Sequence, residues 1–342
     1  MDEGFMNKRA VYFTAPRQIE IREESIPDLQ PGEILVQTLL SAISSGTESL
    51  IYQGLFPTDL RLDENLPGLT STFAFPLKYG YSAVGRVVEL GAGLEKTWLN
   101  RLVFAFVPHQ SHFTASIADV QPLPADLAPE DAVFLPNMET AVNLVMDGAP
   151  IIGENIAVFG QGVIGMLTTT LLARFPLNSL VTLDPVPTRR QRSLQLGATA
   201  SLAPNSPEAV QYFSNLPKGG ADLTFELSGS PPALDQAIQA TGFAGRIVIG
   251  SWYGQKHAHL DLGGRFHRNR LHMISSQVSS LAPGLSGRWD KARRFDLVWQ
   301  MLRVIQPSQL ITQRVPLDQA AQAYQMLAEQ PTEALQVVFT YD

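Results

Sequence analysis

Gly160-Gln161-Gly162-Val163-Ile164-Gly165 follows the apolar run Ile156-Ala157-Val158-Phe159 and precedes a helix-like stretch that ends near Phe175. Strand, tight glycine turn and helix in that order bring backbone N–H groups and a helix N-terminus to one point, the arrangement that receives a pyrophosphate. Each glycine answers a physical demand. Gly160 permits the turn, Gly162 lets a phosphate approach the backbone, and Gly165 lets helix and strand pack closely. Glycine turns also arise between strands and helices that bind nothing, so the surroundings decide. Here they include Ser179-Leu180-Val181-Thr182-Leu183-Asp184, a second apolar run closing on an acid 19 residues after Gly165. A carboxylate at that place accepts hydrogen bonds from an adenine ribose. The stretch predicts a dinucleotide-binding α/β unit, with a purely structural turn as the alternative.

Outward from the turn, alternating apolar strands and helices predict a doubly wound parallel sheet from about Pro136 onward. Its strands are Ile156 to Phe159, Leu180 to Leu183, Ala221 to Leu227, Arg246 to Ile249 and Leu271 to Ser275, with helices such as Thr188 to Leu196 and Ala233 to Ala240 between them. Before it, Ala10 to Phe13, Gln18 to Ile21, Glu33 to Gln37, Gly85 to Leu90 and Leu102 to Val107 read as short strands with proline or glycine punctuation, a small antiparallel β domain. After Ser276 come a helix from Asp290 to Val304, another from Leu317 to Glu329, and a strand from Leu335 to Thr340. The simplest packing joins this closing piece to the β domain, which gives domains of 1–136 with 277–342 and of 137–276. The loop from Gly54 to Leu77 reads either as a functional lid or as an insertion that packs its own aromatics.

A chain of 342 residues, 45% hydrophobic and 17% charged, has the composition of an ordinary globular protein of two domains. No stretch approaches the ~18 to 20 apolar residues of a membrane span. The segment Met1 to Arg9 is charged and has no apolar signal core, which predicts a cytoplasmic protein. A net charge of −7 argues against nucleic acid as the main partner. Cysteine is absent, and with it disulfides, thiolate nucleophiles and cysteine-bound zinc.

Nearly the whole chain resembles the medium-chain dehydrogenase/reductases, the superfamily of zinc alcohol dehydrogenases and quinone reductases. The resemblance is carried by Ser45-Gly46-Thr47-Glu48, Gly80-Tyr81-Ser82-Ala83-Val84-Gly85, the glycine turn, Leu196-Gly197-Ala198, Glu226-Leu227-Ser228-Gly229 and Leu310-Ile311-Thr312. It implies a GroES-like β domain, completed by the C-terminal part of the chain, and a Rossmann domain. Within the superfamily the chain resembles a zinc-less group related to the bacteriochlorophyllide a dehydrogenases, which share a Ser-x-Gly-Thr-Glu stretch and oxidise a hydroxyethyl side chain to an acetyl group with NAD.

The departures from the zinc members are informative. Where those members carry ligands, this chain has Ser45, Tyr81, Ser82 and a residue near Pro136 or Asn137, none of them a sulfur, imidazole or carboxylate donor. The resemblance therefore implies no metal site and a zinc-independent enzyme. His109 and His112 are candidates for active-site hydrogen bonding, with surface or packing roles, or a metal pair, as alternatives. Without zinc, the negative charge that hydride transfer leaves on a carbonyl oxygen needs hydrogen-bond donors. Tyr81, which stands where the resemblance places a zinc-binding histidine, is the leading donor, with mere filling of the vacated metal pocket as the alternative. Thr47 matches the hydroxyl that begins the proton relay of zinc alcohol dehydrogenases, and Ser45, His109, His112 and Lys78 follow. Glu48 reads as holding the loop rather than performing chemistry.

Asp184 suits the free ribose hydroxyls of NAD, while Arg189, Arg190 and Arg192 keep NADP open as the alternative. By resemblance, Ser251, Trp252 and Ser276 line nicotinamide, and Ser228 and Gly229 lie toward adenosine. The basic run Gly264 to Arg270 reads as an interface or surface feature, with anion binding as the alternative. The expected partner is a small alcohol or carbonyl substrate, and the expected assembly is a homodimer. Three classes compete at this stage: an alcohol/carbonyl oxidoreductase, an alkene reductase of quinone or enoyl type, and a non-catalytic dinucleotide-binding protein.

Overall fold

The computed structural model describes residues 7–57 and 72–341. They divide into two units, residues 1–136 with 299–342 and residues 137–298. The second junction therefore lies at 298/299 instead of 276/277. The reason is Arg294, which is almost fully buried and bonds to Glu139, Asn143 and the carbonyl of Val278, tying 277–298 to the parallel-sheet unit.

That unit is a six-stranded sheet in the order Ala200–Leu202, Ser179–Leu183, Asn155–Phe159, Ala221–Glu226, Thr241–Ile249 and His272–Ser275, parallel throughout. Its strands are apolar on both faces, as a sheet covered by helices on both sides requires. Ile156 and Val158 pack with Leu144, Leu172 and Phe225, while Ala157 and Phe159 pack with Phe213, Leu234 and Ile238. The glycine turn leaves the end of the third strand in this order, beside the neighbouring ends at Leu183 and Glu226.

The other unit is a seven-stranded sheet ordered Ile311–Pro316, Gln336–Thr340, Glu33–Ala42, Ala83–Leu90, Leu102–Ala105 and Val120–Pro122, with His112–Ser116 also paired to Glu33–Ala42. A smaller sheet joins Gln18–Ser25, Asn7–Ala15 and Leu77–Lys78. The C-terminal strand Gln336–Thr340 pairs antiparallel with Glu33–Ala42, so the closing piece completes the β unit. One core combines Val11, Phe13, Ile43 and Ile51 with Tyr324 and Phe339 from the C-terminal part.

The loop Gly54 to Leu77 lies mostly outside the described residues. Within them Phe56 and Phe73 are buried and stand 5.2 Å apart, and Phe75 meets Phe73 edge-on at 5.0 Å, so these aromatics pack on one another. No helix among the described residues is long and apolar enough to cross a membrane.

Candidate functional site

In the parallel-sheet unit the glycine turn has the geometry its residues demand. Gly160 sits at φ +88°, and a Cβ there would stand 2.6 Å from Ser228 Cα. A Cβ on Gly165 would fall 1.9 Å from the Gly160 carbonyl oxygen, so the helix Val163–Leu172 begins against the turn itself. Gly162 caps that helix, and a Cβ there would meet nothing within 4 Å. The middle glycine thus faces open space at a helix N-terminus, where unpaired N–H groups favour an anion.

Asp184 is buried, accepting the Gln161 N–H at 2.7 Å on one oxygen and the Val186 N–H at 2.8 Å on the other. Ser228 and Gly229 lie beside the turn, and the Ser251 hydroxyl accepts the Gly229 N–H at 2.8 Å. Gly160, Gln161, Asp184, Ser228, Gly229 and Ser251 are therefore one connected set. Behind it stands Glu226, fully buried, which accepts the Ser228 N–H at 2.9 Å together with the hydroxyls of Ser228 and Tyr253. Burial, and then the carboxylate, push the Tyr253 phenol well above its ordinary range.

Three of the expected cofactor residues sit apart from this set. Trp252 is exposed. Arg189 is half-buried on the helix Pro187–Gln195, whose Arg190 donates at 2.9 Å to the carbonyls of Asp184 and Pro185. Ser276 donates to Asp147 at 2.6 Å and accepts from Asn143 at 3.1 Å, joining the buried network of Arg294 and Glu139. Burial raises the carboxyl pKa values of Glu139, against the pull of Arg294, and of Asp147, against the Ser276 hydroxyl. In the basic run, Arg265 donates to the carbonyls of Thr241 and Gly219, a structural use of its charge. A cavity of about 640 Å³ is lined by Phe159, Leu183, Ala209, Phe213 and Pro231, and its first two residues directly precede Gly160 and Asp184.

In the β unit the short helix Thr47–Tyr52 follows an exposed Ser45. Thr47 is half-buried at its first position, while Glu48 has no exposure at all. The Glu48 carboxylate accepts the Ser44 N–H at 2.7 Å, the Tyr324 hydroxyl at 2.5 Å and His109 Nε2 at 3.0 Å. On its other side His109 Nδ1 meets the Ser41 hydroxyl at 2.6 Å, and Ser41 in turn meets Tyr341 at 2.6 Å. Burial carries the phenols of Tyr324 and Tyr341 well above their ordinary range. Tyr81 is half-buried and donates to the Ser44 hydroxyl at 2.5 Å. Ser82 is buried and donates to the Val133 carbonyl at 2.5 Å.

His109 is fully buried, with both ring nitrogens engaged and Phe339 edge-on to its ring at 5.0 Å, which departs from the expectation of a direct donor to substrate. His112 lies on the strand His112–Ser116 with Nδ1 3.2 Å from the Ser111 hydroxyl, and its pKa is lowered by burial and by Lys8. The two imidazoles serve different neighbourhoods. Among the described residues no group of three or more His, Asp or Glu side chains converges to hold a metal ion. Lys78 pairs with Glu24 at 2.9 Å.

The family described as zinc-binding dehydrogenase matches residues 163–295. The (R,R)-butanediol dehydrogenase of Bacillus subtilis (strain 168) is 28% identical over 261 residues, spanning 68% of this chain and 74% of that protein. The L-threonine 3-dehydrogenase of Pyrococcus horikoshii is 25% identical over 268 residues, spanning 69% and 73%. The crystal structure of the 2R,3R-butanediol dehydrogenase from Bacillus subtilis superposes with a TM-score of 0.80 at 21% identity, covering 98% of this chain and all of that one. In sequence and fold the chain is similar to the medium-chain dehydrogenase/reductase superfamily.

These relatives are named dehydrogenases, and the glycine cradle of this chain fits a dinucleotide. Sequence reasoning passed over Ser44 and Tyr324. Ser44 adjoins the Ser45 that matches a ligand position of the superfamily, so the serine doublet was the available signal. Tyr324 had none, because it reaches Glu48 across 276 residues.

Proposed function

We propose that this protein is a zinc-independent, NAD-dependent oxidoreductase that interconverts a small secondary alcohol and its carbonyl compound. The observation that carries the reading is the open cradle at Gly162, flanked by Asp184, in a chain similar to a superfamily of dehydrogenases. Asp184 uses one acceptor site per oxygen on backbone amides, and a carboxylate has about four, which leaves sites for ribose hydroxyls. The same negative charge disfavours the extra phosphate of NADP. The cavity beside Phe159 and Leu183 receives the adenosine end.

When bound, the reduced dinucleotide supplies a hydride. The residues of this chain supply the rest. The N–H groups at the start of Val163–Leu172 hold the pyrophosphate, while Ser228, Gly229 and Ser251 shape the wall beside it. The hydroxyl pair of Tyr81 and Ser44 supplies hydrogen-bond donation to an oxygen gaining negative charge, at the place where the resemblance puts zinc ligands. A zinc ion is poorly served there. The Tyr81 and Ser82 hydroxyls are committed to neighbours, and Ser45 is a neutral alcohol. A homodimer built along the free edge strand His272–Ser275, and a cytoplasmic location, complete the reading.

The test uses NADH deuterated at the transferring position, offered with a panel of ketones, aldehydes and conjugated alkenes. Label on a carbinol carbon is expected. Label on a β-carbon makes the protein an alkene reductase. Tight NADH binding with no turnover on any acceptor makes it a non-catalytic binder. Stoichiometric zinc, lost to a chelator together with activity, would overturn the metal-free chemistry.

A further inference from the structure

We infer that Ser44 is the hydroxyl that meets the substrate oxygen, and that Tyr81 acts behind it by donating to Ser44. This rests on the oxidoreductase reading above and deepens it by assigning a direction to the hydroxyl pair.

A hydroxyl has one proton and two acceptor sites. The Tyr81 proton points to Ser44 Oγ at 2.5 Å, so within the pair tyrosine donates and serine accepts. The serine's own proton is then the outgoing one. Among the described residues the Ser44 side chain makes no other hydrogen bond, while its backbone N–H is committed to Glu48 at 2.7 Å. Exposure agrees with this direction. Ser44 and Tyr81 are half-buried, whereas Ser41, Glu48, Ser82 and His109 around them are sealed.

Competing hydroxyls are less suited. Ser82 spends its proton on the Val133 carbonyl and Thr38 on the Gln110 carbonyl. Ser45 is exposed on a turn with its side chain held by nothing described, so its orientation would have to be fixed during the reaction. Donors that are fixed beforehand stabilise a developing charge best.

Ser44 and Tyr81 are fixed by one buried assembly. Glu48 holds Ser44 through its N–H, and Glu48 is itself gripped by Tyr324 and by His109. The His109 ring also lies against Gly80, the residue before Tyr81, at φ +119°, where a Cβ would stand 2.8 Å from the ring. Glu48 and His109 are thus positioning residues for both hydroxyls.

The chemistry balances in the direction of carbonyl reduction. As the carbonyl carbon accepts the electron pair of a hydride, from a reduced nicotinamide dinucleotide as reductant, negative charge builds on the oxygen. The Ser44 proton shifts to that oxygen, the Tyr81 proton shifts to Ser44 Oγ, and water restores the phenol. One solvent proton is consumed per carbonyl reduced. Linked hydroxyls polarise one another, so the pair donates more strongly than a serine alone.

The decisive comparison is S44A, S44T and Y81F in the full chain, with three readouts. These are kcat for ketone reduction, NADH affinity from fluorescence, and ultraviolet titration of tyrosine in the cofactor-free protein, with Y81F identifying the Tyr81 contribution. S44A is expected to lower kcat by roughly 100-fold, the scale for removing one oxyanion donor. Y81F should lose less, S44T should recover most of the rate, and NADH affinity should stay constant. In the cofactor-free protein S44A should move the titration of Tyr81. A Y81F loss larger than that of S44A, or S44A turnover close to the parent, overturns the assignment and makes Tyr81 the direct donor. Failure of the parent protein to reduce any carbonyl sinks the oxidoreductase reading instead. In that case the tyrosine titration still decides the pair, and an unmoved Tyr81 in S44A overturns it.

Discussion

Two fully buried glutamates, Glu48 in the β unit and Glu226 in the parallel-sheet unit, each gather three donors, yet they differ in where the donors come from. Glu226 takes its partners from nearby in the chain, two donors from Ser228 and one from Tyr253, 27 residues away. Glu48 takes one from Ser44 and the others from His109 and Tyr324, 61 and 276 residues away. The partners of Glu226 stand at the rim, Ser228 exposed and Tyr253 half-buried, while His109 and Tyr324 are sealed. A buried carboxylate with local, rim-standing donors fastens a loop. One with distant, sealed donors fastens the fold, because releasing it strands several polar groups away from water.

The largest test of that contrast is truncation. Glu48→Ala is expected to destabilise the β unit by about 3–5 kcal/mol in urea unfolding, the scale for breaking a buried charged cluster. Glu226→Ala should cost about 1–3 kcal/mol, since its orphaned donors reach solvent more readily. Equal losses would remove the distinction. A finer cut is Tyr324→Phe against Tyr253→Phe. The first removes a sealed donor to a carboxylate and should cost about 1.5–3 kcal/mol, the second measurably less. The reverse order would place the stronger clamp in the parallel-sheet unit.

The smallest effect at neutral pH is alkaline sensitivity. Both phenols have folded pKa values raised above the ordinary value of about 10, by burial first and by their glutamates next. Their contribution to stability is complete below pH about 10 and is lost as pH rises toward the folded values. Thermal melts across the alkaline limb should fall more gently in Tyr324→Phe and Tyr253→Phe than in the parent, and identical limbs would count against the buried phenols.

The same contrast explains what could be read from the chain directly. The glycine turn and Asp184 were legible because they lie 23 residues apart and each side chain answers a local backbone demand. Five of the six strands of the parallel sheet were legible as apolar runs; the three-residue edge strand Ala200–Leu202 was not, and Thr241–Ile249 begins five residues before the apolar stretch that announced it, carried by backbone pairing with Ala221. The helix Pro207–Asn215 carries a readable start, since the Ser206 hydroxyl accepts the Ala209 N–H at 3.2 Å. His112–Ser116 was not legible as a strand, because a mixed polar sequence pairs only when Glu33–Ala42 lies beside it. The role of His109 was illegible for the same reason. Nothing in Val107-Pro108-His109-Gln110 states that Ser41, Glu48 and Gly80 enclose the ring.

One consequence of the contact between Gly165 and Gly160 concerns salt. The helix Val163–Leu172 begins against the turn and carries no charged residue in its first turn, while the nearest basic contacts to the set, Arg190 on the Asp184 carbonyl and Lys256 on the Gly229 carbonyl, are spent on backbone oxygens. An anion seated there would be met first by neutral amide dipoles at fixed distance. Ions in solution screen exposed charge pairs far more effectively than short contacts to oriented, partly enclosed dipoles. An anion bound by this cradle would therefore be gripped chiefly by backbone shape, and its affinity should change little between dilute and concentrated salt.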